Sequence, residues 1–142
     1  MSGRPSASRR TVLRGAALTP VAALGLTACG PDGTGSYAPP TPTAPVALGA
    51  ESEIPKGGAK LYWDHKVVVS RGDDGTLKAY STLCTHGQCA INKLEGTKLI
   101  CPCHGSEFDA TTGQVTRSPA SVPLPEVPVR VEGGKVVVGP EA

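Results

Sequence analysis

The chain predicts an all-β fold, a small antiparallel barrel or sandwich with two Cys- and His-rich loops at one end. Three observations lead there. Beyond the first 28 residues no segment keeps a 3.6-residue apolar period. Short stretches of β-branched and aromatic residues alternate instead with clusters of Gly, Asp and Pro. The composition, with 18 Gly and 14 Pro but only 4% aromatic residues, leaves a modest, loop-rich core. Such a core gains from a staple, whether metal or disulfide.

Lys60 to Trp63 is the first stretch with strand content, and Lys66 to Ser70 and Thr76 to Tyr80 follow it. Arg71-Gly72-Asp73-Asp74-Gly75 separates the last two and reads as a hairpin turn. Lys98 to Cys101, Val127 to Val131 and Lys135 to Val138 continue the pattern, with Glu132-Gly133-Gly134 as a tight turn between the final pair. The 142 residues leave room for one small domain, expected over 51–142. Ahead of it, residues 29–50 read as a linker, because Pro39-Pro40 and Thr41-Pro42-Thr43-Ala44-Pro45 favour an extended chain. At about 3.1 Å per residue in the polyproline form, it spans some tens of ångströms.

Cys84-Thr85-His86-Gly87-Gln88-Cys89 and Cys101-Pro102-Cys103-His104-Gly105-Ser106 hold four of the five cysteines and two of the three histidines. Thiolates and imidazoles gathered in two loops are what a soft or borderline metal centre needs. The remaining histidine, His65, lies in Trp63-Asp64-His65-Lys66 near an expected turn and reads as an exposed loop residue. Asp73-Asp74 reads as a solvated turn, and Tyr62 and Trp63 as packing residues. No internal repeat is visible apart from the two Cys-His loops.

The N-terminus reads as an address. Ser8-Arg9-Arg10-Thr11-Val12-Leu13 is a twin-arginine pattern, and the apolar run from Gly15 to Ala28 is too short and too diluted by Gly, Thr and Pro for a membrane span. Residues 1–28 are therefore expected to be a signal peptide. Leu26-Thr27-Ala28-Cys29-Gly30 resembles a bacterial lipobox, which makes Cys29 the lipidated first residue of the mature protein. Simple cleavage near Ala28, giving a secreted protein, and an ordinary free thiol at Cys29 are the alternatives. The twin-arginine route exports folded proteins, which suits a cofactor inserted in the cytoplasm. The expected location is the outer face of the cytoplasmic membrane, where disulfides persist.

The formal charge of +2 includes four arginines in the first fifteen residues. From Cys29 onward ten Lys and Arg face all twelve Asp and Glu, so nucleic acid is not an expected partner.

The two loops resemble the Rieske iron–sulfur family, whose pattern is Cys-x-His, a spacer, and Cys-x-x-His. Cys84, His86, Cys101 and His104 match it, with fourteen residues, 87–100, between His86 and Cys101. The resemblance implies one 2Fe-2S cluster, with two Cys thiolates on one iron and two neutral imidazoles on the other. Two ferric ions and two sulfides carry +2, so four thiolates give −2 where two thiolates and two imidazoles give zero. An electron enters a neutral cluster more readily, one reason that such potentials run from about −150 to +300 mV against about −400 mV for plant-type centres.

The resemblance also implies a disulfide between Cys89 and Cys103, as in the high-potential branch of the family; two free buried cysteines are the alternative. Ser106 occupies the family position whose hydroxyl donates to a cluster sulfide and raises the potential. Two residues later the high-potential members carry a Tyr where this chain has Phe108, which implies a potential below the top of the range. Gly87 stands where quinol-oxidising relatives commonly have a Leu shielding the cluster. Ser118-Pro119-Ala120 sits where the family has a Pro-containing loop over the cluster's other side, without that loop's surrounding glycine and second proline.

The resulting expectation is an exported one-electron carrier, an electron-transfer protein or complex subunit without catalytic residues of its own. Its expected place is the iron–sulfur component of a cytochrome bc-type (mena)quinol–cytochrome c reductase, with cytochrome b and cytochrome c partners. The small Rieske subunit of an arsenite-oxidase-like enzyme and a free-standing carrier are alternatives. Two Cys and two His also suit a structural zinc site in a surface lipoprotein. A Rieske oxygenase needs a second iron site with two His and one carboxylate, and only His65 is left for it.

Overall fold

The structure, a computed structural model, describes residues 42–141. The expected signal peptide, Cys29 and the linker as far as residue 41 lie outside the described residues. The described part is all-β, with no α-helix among its elements. Its strands are β1 (Val46–Ala50), β2 (Gly58–Tyr62), β3 (Val67–Arg71), β4 (Leu77–Ser81), β5 (Lys93–Glu95), β6 (Lys98–Ile100), β7 (Glu107–Asp109), β8 (Val115–Arg117), β9 (Glu126–Val127), β10 (Val129–Glu132) and β11 (Lys135–Val138). They form three antiparallel sheets with orders β1-β11-β10, β2-β3-β4-β9 and β5-β6-β7-β8.

The middle sheet is built around β3, whose Val67-Val68-Val69 run is buried on both faces. Side chains alternate along a strand. Val67 and Val69 accordingly enter one core with Ile54, Tyr62, Ala79, Val127, Val136 and Val138, on the side of the β1-β11-β10 sheet. Val68 enters the other, with Tyr80, Ile91, Leu99, Phe108, Leu124 and both Cys84 and Cys101. The site is thus built into the second core.

The fold begins earlier than the sequence boundary at Glu51. Val46–Ala50 pairs with β11, and Val46 and Leu48 pack against the first core. The alternation is broken by a register shift between Ala47 and Gly49, where Gly49 has φ 148°, and the preceding prolines conceal it in the sequence. Strands β2, β3, β4, β6 and β11 fall within one or two residues of expectation, Val127–Val131 divides into β9 and β10, and β5, β7 and β8 lie outside the expected stretches. Strands β5, β7 and β8 have three residues each, too few to show a period.

Two features aim the loops. Strand β4 runs directly into residues 82–92, and the β6–β7 hairpin carries residues 101–106. Gly113, at φ 71°, lies so close to Tyr80 that a Cβ would sit 2.7 Å from the ring, and its carbonyl accepts from Leu124 N at 2.8 Å. That contact fixes the 118–125 segment beside the two loops.

Candidate metal centre

Both Cys-His loops are the same backbone turn. In the first, Gln88 N donates to Cys84 O at 2.7 Å and Cys84 N donates to Cys89 O at 2.9 Å. In the second, Gly105 N donates to Cys101 O at 3.1 Å and Cys101 N donates to Ser106 O at 2.9 Å. Each turn places its fifth residue at positive φ, Gln88 at 59° and Gly105 at 75°. Superposing the frames aligns Cys84 with Cys101, but sets His86 at the third position and His104 at the fourth. The offset lets two similar turns present imidazoles to one point. The His86 and His104 rings lie edge to face with centroids 4.8 Å apart.

The sulfurs and the imidazoles are segregated by solvent. Cys84 and Cys101 are free thiols and buried, whereas His86 and His104 are exposed. Burial pushes the Cys101 thiol up, and its hydrogen bond with Cys84 adds to this, while the Cys103 and His104 backbone amides pull it down. A bare thiolate is therefore disfavoured in this place, and a cationic centre that binds both sulfurs offsets the cost. Two buried sulfurs under two exposed imidazoles fit a two-iron centre with unlike ends.

Cys89 and Cys103 form the disulfide, with S–S 2.05 Å across a sequence separation of 14. It joins the sixth position of the first turn to the third of the second. The Cys89, Cys101 and Cys103 sulfurs all lie within 4.8 Å of one another. Two of these are bonded, which leaves Cys101 as the free thiol of that trio. The bridge therefore lies against the centre and closes one flank.

Segment 118–125 closes the other, entered through a cis Ser118-Pro119 bond. Ala120 N donates to Ser106 Oγ at 3.0 Å, and Thr85 Oγ1 donates to Val122 O at 2.6 Å. Ser106 is fully buried, and its oxygen is occupied as an acceptor. Its hydroxyl proton is then available to a group between the two turns, a pattern suited to a sulfide acceptor. Ser106→Ala is expected to leave the cluster in place and lower its midpoint potential, with Ser106→Thr restoring part of it; redox titration of the three proteins checks this. The same change strands the Ala120 amide, at about 1–3 kcal/mol of stability.

Phe108 is fully buried in the core that contains Cys84 and Cys101, and it brings no hydroxyl there. Gly87 meets nothing within 4 Å of an added Cβ, so the flank of His86 is open. His65 is exposed in the turn between β2 and β3. Sequence reasoning missed the anchoring roles of Thr85 and Gly113, for which a Gly beyond the β7 turn was the only signal.

Residues 44–128 match the Rieske family, described as the Rieske [2Fe-2S] domain. The cytochrome b6-f complex iron-sulfur subunit of Chlorobaculum tepidum is 37% identical over 97 residues, 66% of this chain and 52% of that protein. The ferredoxin component of the naphthalene 1,2-dioxygenase system of Pseudomonas aeruginosa is 34% identical over 89 residues, 61% of this chain and 86% of that protein. Among solved structures, the cyanobacterial plasma membrane Rieske protein of Synechocystis PCC 6803 aligns with a TM-score of 0.52 at 32% identity, over 67% of this chain and 99% of that one. The chain spans about half the length of the Chlorobaculum relative.

Proposed function

We propose that this chain, which belongs to the Rieske [2Fe-2S] domain family, passes single electrons in an exported, membrane-associated redox chain. Its cofactor is one 2Fe-2S cluster. We assign Cys84 and Cys101 as the thiolate ligands and His86 and His104 as the imidazole ligands. When bound, the cluster supplies a one-electron couple. The chain's own residues do the rest: the core excludes water from the thiolate side, and the disulfide and the 118–125 segment hold the two turns in register. His86 and His104 form the edge nearest solvent, and so the route by which electrons enter and leave.

The observation that carries this reading is the pairing of two buried free thiols with two exposed, mutually packed imidazoles at one end of the fold. Within the family, the iron–sulfur component of a cytochrome bc-type (mena)quinol–cytochrome c reductase is the role best supported. The Chlorobaculum relative is the iron-sulfur subunit of a cytochrome b6-f complex, and the disulfide and Ser106 agree with a high-potential centre. Gly87 and Phe108 favour a second reading, a free-standing carrier, and the near-complete coverage of the dioxygenase-system ferredoxin supports it. The small subunit of an arsenite-oxidase-like enzyme is a third. We place the protein at the outer face of the cytoplasmic membrane, held by lipid on Cys29.

Copurification of the full chain from solubilised membranes separates these roles. A stable cytochrome b partner is expected for the reductase subunit, recovery of the Rieske protein alone for the carrier. Cytochrome b absent from every preparation that retains the cluster contradicts the first role.

A further inference from the structure

Three sulfurs meet at one flank of the centre. The Sγ atoms of Cys89, Cys101 and Cys103 all lie within 4.8 Å of one another, two of them bonded and the third a free thiol. They differ in their access to water. Cys101 is 2% exposed, Cys89 is half-buried and Cys103 is exposed. The other free thiol among the described residues, Cys84, is buried and hydrogen-bonded with Cys101, but its sulfur does not join the group. A free thiol lying against a disulfide is the arrangement from which exchange starts.

We propose that Cys101 is a nucleophile toward the bridge beside it: a chain without its cluster rearranges from Cys89–Cys103 to Cys89–Cys101, and a cluster that holds Cys101 prevents this. The inference rests on the assignment of Cys101 as a ligand and adds what the cluster does for its own site. In the step, the Cys101 thiol gives up its proton, its sulfur bonds to Cys89 Sγ, the Cys89–Cys103 bond breaks, and Cys103 takes up a proton. One disulfide and one thiol become one disulfide and one thiol, so no oxidant or reductant is consumed. Solvent access selects the product, because the exposed Cys103 leaves as a hydrated thiolate more readily than the half-buried Cys89. Attack on Cys103 instead closes a bridge around Pro102 alone, whose ring fixes φ. The Cys89–Cys101 bridge closes a loop nearly as long as the native one, whose sequence separation is 14, so the two differ little in loop-closure entropy. Burial keeps most of the Cys101 thiol protonated, which slows the exchange without changing its product. The rearranged chain still joins its two turns, yet it has no Cys101 thiolate to offer. It takes up a cluster again only after the exchange is reversed.

The test follows thiols in the full chain, under argon and at one pH, in four forms: wild type with its cluster, wild type stripped of iron by a chelator, Cys84→Ser and Cys101→Ser. Each is held for hours, the timescale of uncatalysed disulfide rearrangement, then alkylated without denaturation, digested and mapped by mass spectrometry. The loaded chain is expected to keep Cys89–Cys103 and to leave Cys103 unlabelled. Stripped wild type and Cys84→Ser are expected to show Cys89–Cys101, with label on Cys103, in at least about a tenth of the molecules, the share of a product up to about tenfold less stable than the native bridge. Cys101→Ser, which also lacks a ligand, is expected to show neither. Circular dichroism of the two variants establishes that they are folded alike, and the stripped wild type carries the test if either fails to fold. The native bridge alone in the stripped chain overturns the exchange. Label on Cys103 in a folded Cys101→Ser also overturns it, as do bridges that reach Cys84 or Cys29 as often as Cys101, since these mark random exchange. Rearrangement of the loaded chain as fast as that of the stripped chain defeats instead the assignment of Cys101 as a ligand, and with it the protection.

Discussion

His104→Cys retains the cluster and lowers its midpoint potential by roughly a few hundred millivolts, part of the way from the Rieske range to the value of about −400 mV typical of four-thiolate centres. The cause is charge. Exchanging one neutral imidazole for a thiolate takes the oxidised cluster from zero to −1, and the reduced form suffers the added repulsion more. The backbone accommodates the change because His104 is exposed and its turn is held by Cys101 N to Ser106 O and Gly105 N to Cys101 O, which do not involve the ring. Iron content and a redox titration followed by visible absorption check the result. An unchanged potential with full iron means that His104 is not a ligand.

Removing the Cys89–Cys103 bridge as the pair Cys89→Ser/Cys103→Ser is expected to cost about 3 kcal/mol, the loop-closure value for some fifteen residues, given a sequence separation of 14. For a domain of this size that corresponds to a fall in Tm on the order of 10–20 °C. The effect is concentrated at the site, because the disulfide sulfurs lie within 4.8 Å of Cys101 Sγ and tie the two turns together. Thermal unfolding in parallel with loss of the visible band checks this. Melting at the wild-type temperature, with the cluster retained as long, contradicts the clamp. Changing both cysteines avoids a new free thiol beside the centre.

Much of the centre was legible because its chemistry is local: the Cys and His types and their spacing can be read along the chain. The pairing of Cys89 with Cys103 followed from family resemblance, and the structure places the bond there. What the sequence hid depends on tertiary contact. Gln88 adopts the same left-handed position as Gly105 with no residue signal, so the likeness of the two turns appears only in three dimensions. Strand β1 escaped because a shift at Gly49 breaks its alternation beside a proline-rich stretch. The doubly buried Val67-Val68-Val69 run reads as one apolar block, yet it serves two cores with opposite faces. Ser106 was assigned a donor role by resemblance; its acceptor role toward Ala120 N, which frees the proton for that donation, needed coordinates.

The central claim, a cluster held by Cys84, Cys101, His86 and His104, is tested most directly by an electron paramagnetic resonance redox titration of the purified full chain. A coloured protein is expected, with a rhombic low-g signal on reduction and a one-electron midpoint above about −150 mV but short of about +300 mV. A colourless, zinc-loaded protein without that signal, or a midpoint near about −400 mV, contradicts the account.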